Sequence, residues 1–457
     1  MDTITNVIDR QKVSYEVLSK IGEGSQGVTF LLKDKSHIVK LFKGELNVTE
    51  LKSKINFLIN LGLDKSHYAV PLLEVVAPHS GYISEFASGM VPLTTLITPE
   101  KAIDFSEWFS KTGGLLKRYG VLIKLATAIR SLHAKGLVYC DLSPNNVFIS
   151  ETPRKHNVFL IDMDNVRYKT SIIHNIYTPF YGAPEVVKSL APNTPMSDCY
   201  SFAVIAYKLL TLNHPLIGDL IADGDPELEE KALNGEFPWV ENAKDDSNAR
   251  TTGLPSAFFI TSAIMKLFHR TFEEGLNDPM KRPSIAEWFD ALNDGLNELL
   301  SCKTCDTHYP YRNNYHCPLC NRKPTAPFSI KIMRWENVIY YDMDTNQEKD
   351  HFELQHMIQD ELFIDESTTK YIKAFHLLWA SDDYDTPIAQ VKIKPYENEV
   401  VLTITPLNDF TFLFKIPEIN CEQIIDRERN IRFNPTNHKQ MIIGLKPFNQ
   451  PQRVLVI

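Results

Sequence analysis

Two carboxylates and an amide stand close together near the middle of this 457-residue chain. Asp141 and Asn146 bracket a loop within V-Y-C-D-L-S-P-N-N-V-F-I, Val138–Ile149, and Asp162 follows the short apolar run Val158–Ile161. An apolar run that ends in an acid, a short loop, an amide and a second apolar run set these side chains at the ends of strands. Carboxylates and amides so placed can hold a divalent cation and receive a hydroxyl proton, which are the demands of phosphoryl transfer. The same residue types also suit two solvated turns rich in Asp, Asn and Pro. Partners elsewhere in the chain have to decide between the two.

Several segments must position that loop. Val17–Ile21 runs into G-E-G-S-Q-G, Gly22 to Gly27, and Val28–Leu32 resumes a β-type pattern. Glycine lets backbone amides approach a phosphate with no Cβ in the way. A dinucleotide fingerprint would continue into a helix. Strand, glycine loop and strand suit either a flap over phosphates or a plain hairpin turn. Lys40 lies inside the apolar strand His37–Phe42, where an unpaired ammonium is costly, so it meets an anion or reaches solvent at a sheet edge. Over Asn47–Leu61 the residues Val48, Leu51, Ile55, Leu58 and Ile59 recur at helical spacing, and Gly62 is placed to stop the helix. Its one glutamate, Glu50, either pairs with Lys40 or completes an N-terminal cap with Asn47. Leu115–His133 is a second amphipathic helix, leading straight into the loop of Asp141.

In this order the segments resemble the eukaryotic-like (Hanks-type) protein kinase family. The glycine loop, Lys40, the Asp141–Asn146 loop and Asp162 are followed by T-P-F-Y-G-A-P-E (Thr178–Glu185). A helix opening at Ser197-Asp198 and D-P-M-K-R-P-S from Asp278 complete the set. The resemblance covers roughly residues 10–300 and implies an α+β, bilobal kinase-like fold, with ATP and Mg²⁺ used to phosphorylate Ser or Thr of a protein. Carried over residue by residue, it implies that Gly22, Gly24 and Gly27 cover the phosphates while Lys40 orients them beside Glu50. The strand ending at Glu85 leads into the adenine-binding hinge. Asp141 is the catalytic base, and Asn146 and Asp162 hold magnesium. Asp198 would brace the catalytic loop, and Arg282 would pair with Glu185.

The departures from that family are specific. H-R-D becomes Tyr139-Cys140-Asp141, the lysine two residues after the base becomes Ser143, and D-F-G becomes Asp162-Met163-Asp164. Together with I-D-M-D-N from Ile161 and G-E-F-P-W from Gly235, they resemble a divergent bacterial branch with a fused C-terminal zinc ribbon, found beside tellurite-resistance proteins and phosphatases. That resemblance implies a protein substrate or regulatory partner, such as a cognate phosphatase or a tellurite-resistance-type protein. The rival reading is a nucleotide-binding pseudokinase that works as an adaptor through its C-terminal modules. A third makes the chain a nucleic-acid-associated zinc protein.

Of seven cysteines, four form Cys302-x-x-Cys305 and Cys317-x-x-Cys320, eleven residues apart. Two such knuckles offer tetrahedral thiolate ligation to Zn²⁺, and a module this small has no core without metal. Paired C-x-x-C motifs point to a reducing compartment, so the expectation is a cytoplasmic protein. A net charge of −9 and a single arginine in the inter-knuckle loop speak against nucleic acid, and no apolar run is long enough for a membrane span. From Pro327 the pattern changes to short β-type runs: 329–335, 338–342, 372–380, 389–394, 400–404, 410–414, 441–445 and 454–457. The expected domains are a kinase N-lobe (1–88), C-lobe (89–300), zinc ribbon (301–325) and all-β domain (326–457), the last a sandwich or partly closed barrel able to fold alone.

Overall fold

The computed structural model describes residues 4–24, 27–43, 48–99, 103–171, 175–221, 224–311, 316–323, 327–378, 381, 383 and 386–457, without the side chains of 48–52, 171 and 356–359. They form two compact units, one of residues 1–256 with 262–292 and one of 257–261 with 293–457.

The first unit opens with a closed barrel. Its strands are β1 (Asn6–Asp9), β2 (Ser14–Glu23), β3 (Gly27–Leu32), β4 (His37–Phe42), β5 (Leu73–Ala77) and β6 (Gly81–Glu85), in the order β1-β2-β3-β4-β6-β5. Side chains alternate between faces, so Val28, Phe30, Leu32, Val39, Leu41, Val75 and Ile83 fill the interior while Lys40 and Phe42 point to the other side. Gly27 is fixed by this packing, because a Cβ there would lie 2.5 Å from the Leu41 carbonyl oxygen. Helix α1 (Val48–Asn60) crosses that outer face, where Ile55 packs with Phe42 and Tyr82. It stops as expected at Gly62, which takes the left-handed conformation (φ 59°).

The remainder of this unit is mainly helical. Helix α2 (Phe105–Lys111) is capped by Asp104, and the buried α3 (Gly114–Ala134) packs against α5 (Pro195–Thr211), itself started by a Thr194–Ser197 capping box. Between α3 and α5 lie β8 (Leu137–Val138), paired with β11 (Arg167–Tyr168), and the hairpin of β9 (Val147–Ser150) and β10 (Val158–Leu160), which β7 (Met90–Pro92) joins. The short α4 (Pro184–Val187) precedes α5. The loops joining these short strands carry Asp141, Asn146 and Asp162.

The second unit is a β-sandwich. One sheet orders Gln347–Ile364, Phe328–Asp342, Gln452–Val456, Ile442–Leu445, Phe412–Ile416 and Cys421–Ile425; the other orders Lys370–Lys373, Pro387–Tyr396, Glu399–Pro406 and Arg429–Phe433. Ile330, Leu362, Phe412 and Leu455 of the first sheet meet Ile372, Val391, Leu402 and Ile431 of the second in one apolar core. Several expectations need correction. The runs 329–335 and 338–342 are one strand, Gln347–Ile364 is a long strand where none was expected, and 372–380 turns helical at Ala374–Leu377.

The sandwich also holds the chain that precedes it. Lys370 Nζ, buried, donates to the carbonyls of Leu296 (3.2 Å), Asn297 (2.6 Å) and Leu299 (2.8 Å), and Asn297 Nδ2 donates to Asp360 Oδ2 at 2.6 Å. An ammonium left inside without such acceptors costs several kcal/mol. The segment to test for independent folding is therefore 293–457 and not 327–457. A zinc-loaded fragment beginning at Asn293 should melt cooperatively, and one beginning at Pro327 should melt at least ~5 °C lower or without cooperativity. Equal melting curves by circular dichroism would show that Lys370 does not depend on those carbonyls.

Candidate active site

Lys40 reaches the cleft because its register on β4, opposite Thr29 of β3 and Tyr82 of β6, turns it away from the barrel core. Its ammonium is mostly buried and makes two ion pairs, with Asp162 Oδ1 at 2.8 Å and Asp164 Oδ1 at 3.0 Å. Burial alone would lower its pKa, but Asp164 and Asp162 together raise it. The two acids differ in setting. The side chain of Asp162 is 38 % exposed, whereas that of Asp164 is 1 % exposed. Burial pushes the Asp164 carboxyl up, and the charges of Lys40 and of Lys54 on α1 more than offset it, leaving the carboxyl below its usual range. The expected partner Glu50 lies on α1, and its side chain falls outside the described residues.

The loop of Asp141 is shaped by Asp198 from the first turn of α5. Its carboxylate accepts the amides of Tyr139 (2.8 Å) and Cys140 (3.0 Å) and pairs with His133 Nε2 (3.0 Å), the bracing role expected of it. Gripped in this way, Cys140 adopts φ 74°, a left-handed conformation rare outside glycine, immediately before Asp141. Asn146 Nδ2 donates to the Asp141 carbonyl (2.9 Å) and to Asp141 Oδ2 (3.0 Å), and Thr178 Oγ1 donates to Asp141 Oδ1 (2.7 Å). Burial raises the Asp141 pKa first, the hydrogen bonds from Thr178 and Asn146 oppose it, and the charges of Asp162 and Asp164 reinforce it. The net rise makes this carboxylate a better proton acceptor.

The loop of Asp141 and the Asp162 turn are tied to each other. Ile161 N donates to the Asn146 carbonyl (3.0 Å), Tyr139 Oη donates to the Ile161 carbonyl, and Asn165 Nδ2 reaches Asp141 Oδ2 (3.4 Å). Asp162 takes φ 53° at the start of this turn. Farther out, Arg282 forms the expected pair with Glu185, two parallel bonds of 2.7 Å. Ser284 and Glu287 form a capping box at the start of the helix Ile285–Glu298. The motifs did not disclose Asn193, whose buried amide joins the Cys140 carbonyl (3.1 Å) to both backbone groups of Ile176. An asparagine in a Pro-rich loop carries no signal of such a role.

One cleft connects these elements. Ile21, Ile38, Ala69, Phe148, Phe159 and Ile161 give it apolar walls, and Gly22, Lys40, Glu85 and Asp162 also line it. Gly22 and Gly24 have open space where a Cβ would be; residues 25–26 of the glycine loop lie outside the described residues. These walls leave room for a flat base, Lys40 could meet phosphates, and Asp162 and Asn146 could hold a cation.

In the second unit, Cys302, Cys305, Cys317 and Cys320 bring their sulfurs within 4.8 Å of one another. The knuckles repeat the same backbone. Asp306 N donates to the Cys302 carbonyl and Asn321 N to the Cys317 carbonyl, and Asp306 and Asn321 both have φ 55°. Against the effect of burial, the N–H groups of Thr304 and Cys305 hold the Cys302 thiol down to about 7. These four cysteines could hold one metal ion. The cluster packs through Leu300, Tyr309 and Tyr311 onto Phe363 of the sandwich.

Comparison with known proteins agrees with the cleft. Residues 15–291 match the family model described as protein kinase domain, more than half of the chain. The chain belongs to this family. It is 34% identical to the serine/threonine-protein kinase pkn2 of Myxococcus xanthus over 181 residues, which are 38% of this chain and 20% of that protein. It is 25% identical to the probable serine/threonine-protein kinase nek3 of Dictyostelium discoideum over 238 residues, 50% of this chain and 20% of that one. With the serine/threonine-protein kinase PknD of Chlamydia caviae it shares 24% identity over 230 residues, 44% of this chain and 24% of the relative. The chain thus spans about a fifth to a quarter of the length of these relatives. Among the described residues, no helix is long and apolar enough to cross a membrane.

Proposed function

We propose that this chain is an ATP- and Mg²⁺-dependent protein kinase that phosphorylates serine or threonine of a protein partner. The observation that carries the reading is convergence. Lys40, the shared loop of Asp141 and Asn146, and the turn of Asp162 come from separate parts of the chain and are joined by hydrogen bonds, and Lys40 and Asp162 line one apolar-walled cleft. The family match and the relatives' names support serine/threonine specificity. In this reading the acceptor hydroxyl lies against Asp141, whose carboxylate takes the proton as the new O–P bond forms and the bond to the leaving nucleotide breaks. Asn146 and Thr178 fix that carboxylate, and Lys40 orients the phosphates with its positive charge. Bound magnesium, held by Asn146 and Asp162, supplies charge neutralisation at the transferring group. Gly22, Gly24 and Gly27 cover the phosphates, and the backbone around Glu85 meets the adenine.

The motif departures support the divergent bacterial branch with a zinc ribbon, acting in the cytoplasm on a protein partner such as a tellurite-resistance-type protein or a cognate phosphatase. In place of the H-R-D arginine stands buried Cys140, with Arg167 nearby bonded to the carbonyls of Asp164 and Val166.

With γ-³²P-ATP and Mg²⁺, the wild type should label itself or a protein partner, and Asp141→Asn should lower the rate about a hundredfold or more. Equal label in both would contradict the assignment, and nucleotide binding without transfer by the wild type would support the adaptor. Elemental analysis of protein purified without chelator should find one zinc per chain. Cys305→Ser should lose that zinc and lower the melting temperature of the second unit. Metal-free protein with an unchanged melt would remove zinc from the account.

A further inference from the structure

We infer that Asp164 is the positioning residue for Lys40 in the nucleotide-bound enzyme. This rests on the kinase reading above and deepens it. Lys40 pairs with two carboxylates, and only one of them is proposed to take up the metal. Asp162 is the exposed one, lines the cleft and is the acid proposed to hold magnesium. A carboxylate shared with a divalent cation gives up most of its charge to that cation. Asp164 is buried, two residues further along the same turn, and its backbone carbonyl is bonded by Arg167. It can stay with Lys40 while Asp162 turns to the metal.

Asp164 Oδ1 accepts from Lys40 of the β4 wall at 3.0 Å. The position of Lys40 is then set by the turn that carries the proposed metal ligand. Where the family's D-F-G motif has glycine, this chain has a charged residue inside the site. The substitution that looks like a loss in the sequence supplies the anchor.

The test is a double-substitution cycle on the full chain, using Asp164→Asn and Lys40→Met singly and together. Each variant is checked by thermal melting, then assayed for kcat and KM for ATP and for ATP binding by calorimetry. If Asp164 acts through Lys40, Asp164→Asn lowers kcat/KM at least tenfold, but lowers it less than twofold further when Lys40→Met is already present. Asp164→Glu, which keeps the carboxylate, recovers part of the loss. Should Asp164→Asn fail to fold, Asp164→Gly takes its place in the cycle. Transfer by Asp164→Asn within twofold of wild type, or an equal loss in both backgrounds, overturns the inference. If the wild type binds ATP without transferring phosphate, the kinase reading fails, and the same cycle on ATP affinity still decides the role of Asp164. Coupling of at least tenfold supports it there, and additivity overturns it.

Discussion

A lysine ammonium set into the wall of a β-barrel has to be neutralised, and much of the first unit follows from that constraint. Lys40 faces the cleft because β4 alternates, and its charge is answered from across the cleft by the turn at 162–165. That turn is anchored to the loop of Asp141 through Tyr139, Asn146 and Asn165, and this loop is gripped by Asp198 on α5. The two ion pairs of Lys40 thus link the barrel wall to the helical part through a chain of buried polar contacts. In a low-dielectric setting each contact raises the cost of losing the next.

The second unit solves a similar problem without catalysis. Lys370 is buried, and its acceptors are backbone carbonyls at the end of the helix Ile285–Glu298, where the helix dipole favours a cation. Lysine donates in three directions, which suits it to three carbonyls better than to one carboxylate. The cysteine cluster has a small apolar contact with the sandwich, and its four thiols could hold one metal ion.

The kinase-like site was largely legible in the sequence because its signals are short and ordered: glycine loop, Lys40, Asp141–Asn146, Asp162, Glu185 with Arg282, and Asp198. Each is a residue type at a fixed offset, which survives without knowledge of packing. Asp164 was not legible. A buried acid and a solvated one look alike in a string of letters, and Glu50 at helical spacing was the more natural partner for Lys40. Lys117 and Arg118 were hidden in the same way. Both are buried in α3, where their heads bond carbonyls at Ser150 and Thr152 and at Leu209 and Leu96. In the sandwich, Gln347–Ile364 was missed because it is an edge strand rich in charge, as edge strands that resist aggregation tend to be. The strands 421–425 and 429–433 were missed because each is only five residues long and carries charge among its apolar residues.

The most direct test of the account is a crystal structure of the full chain with Mg²⁺ and a non-hydrolysable ATP analogue. The account places the base between Ile38 and Phe159 and the metal on Asp162 and Asn146. Lys40 should remain within about 3 Å of Asp164 while contacting the phosphates. A structure in which Lys40 has left Asp164 for Glu50, or in which the analogue lies outside this cleft, would contradict it.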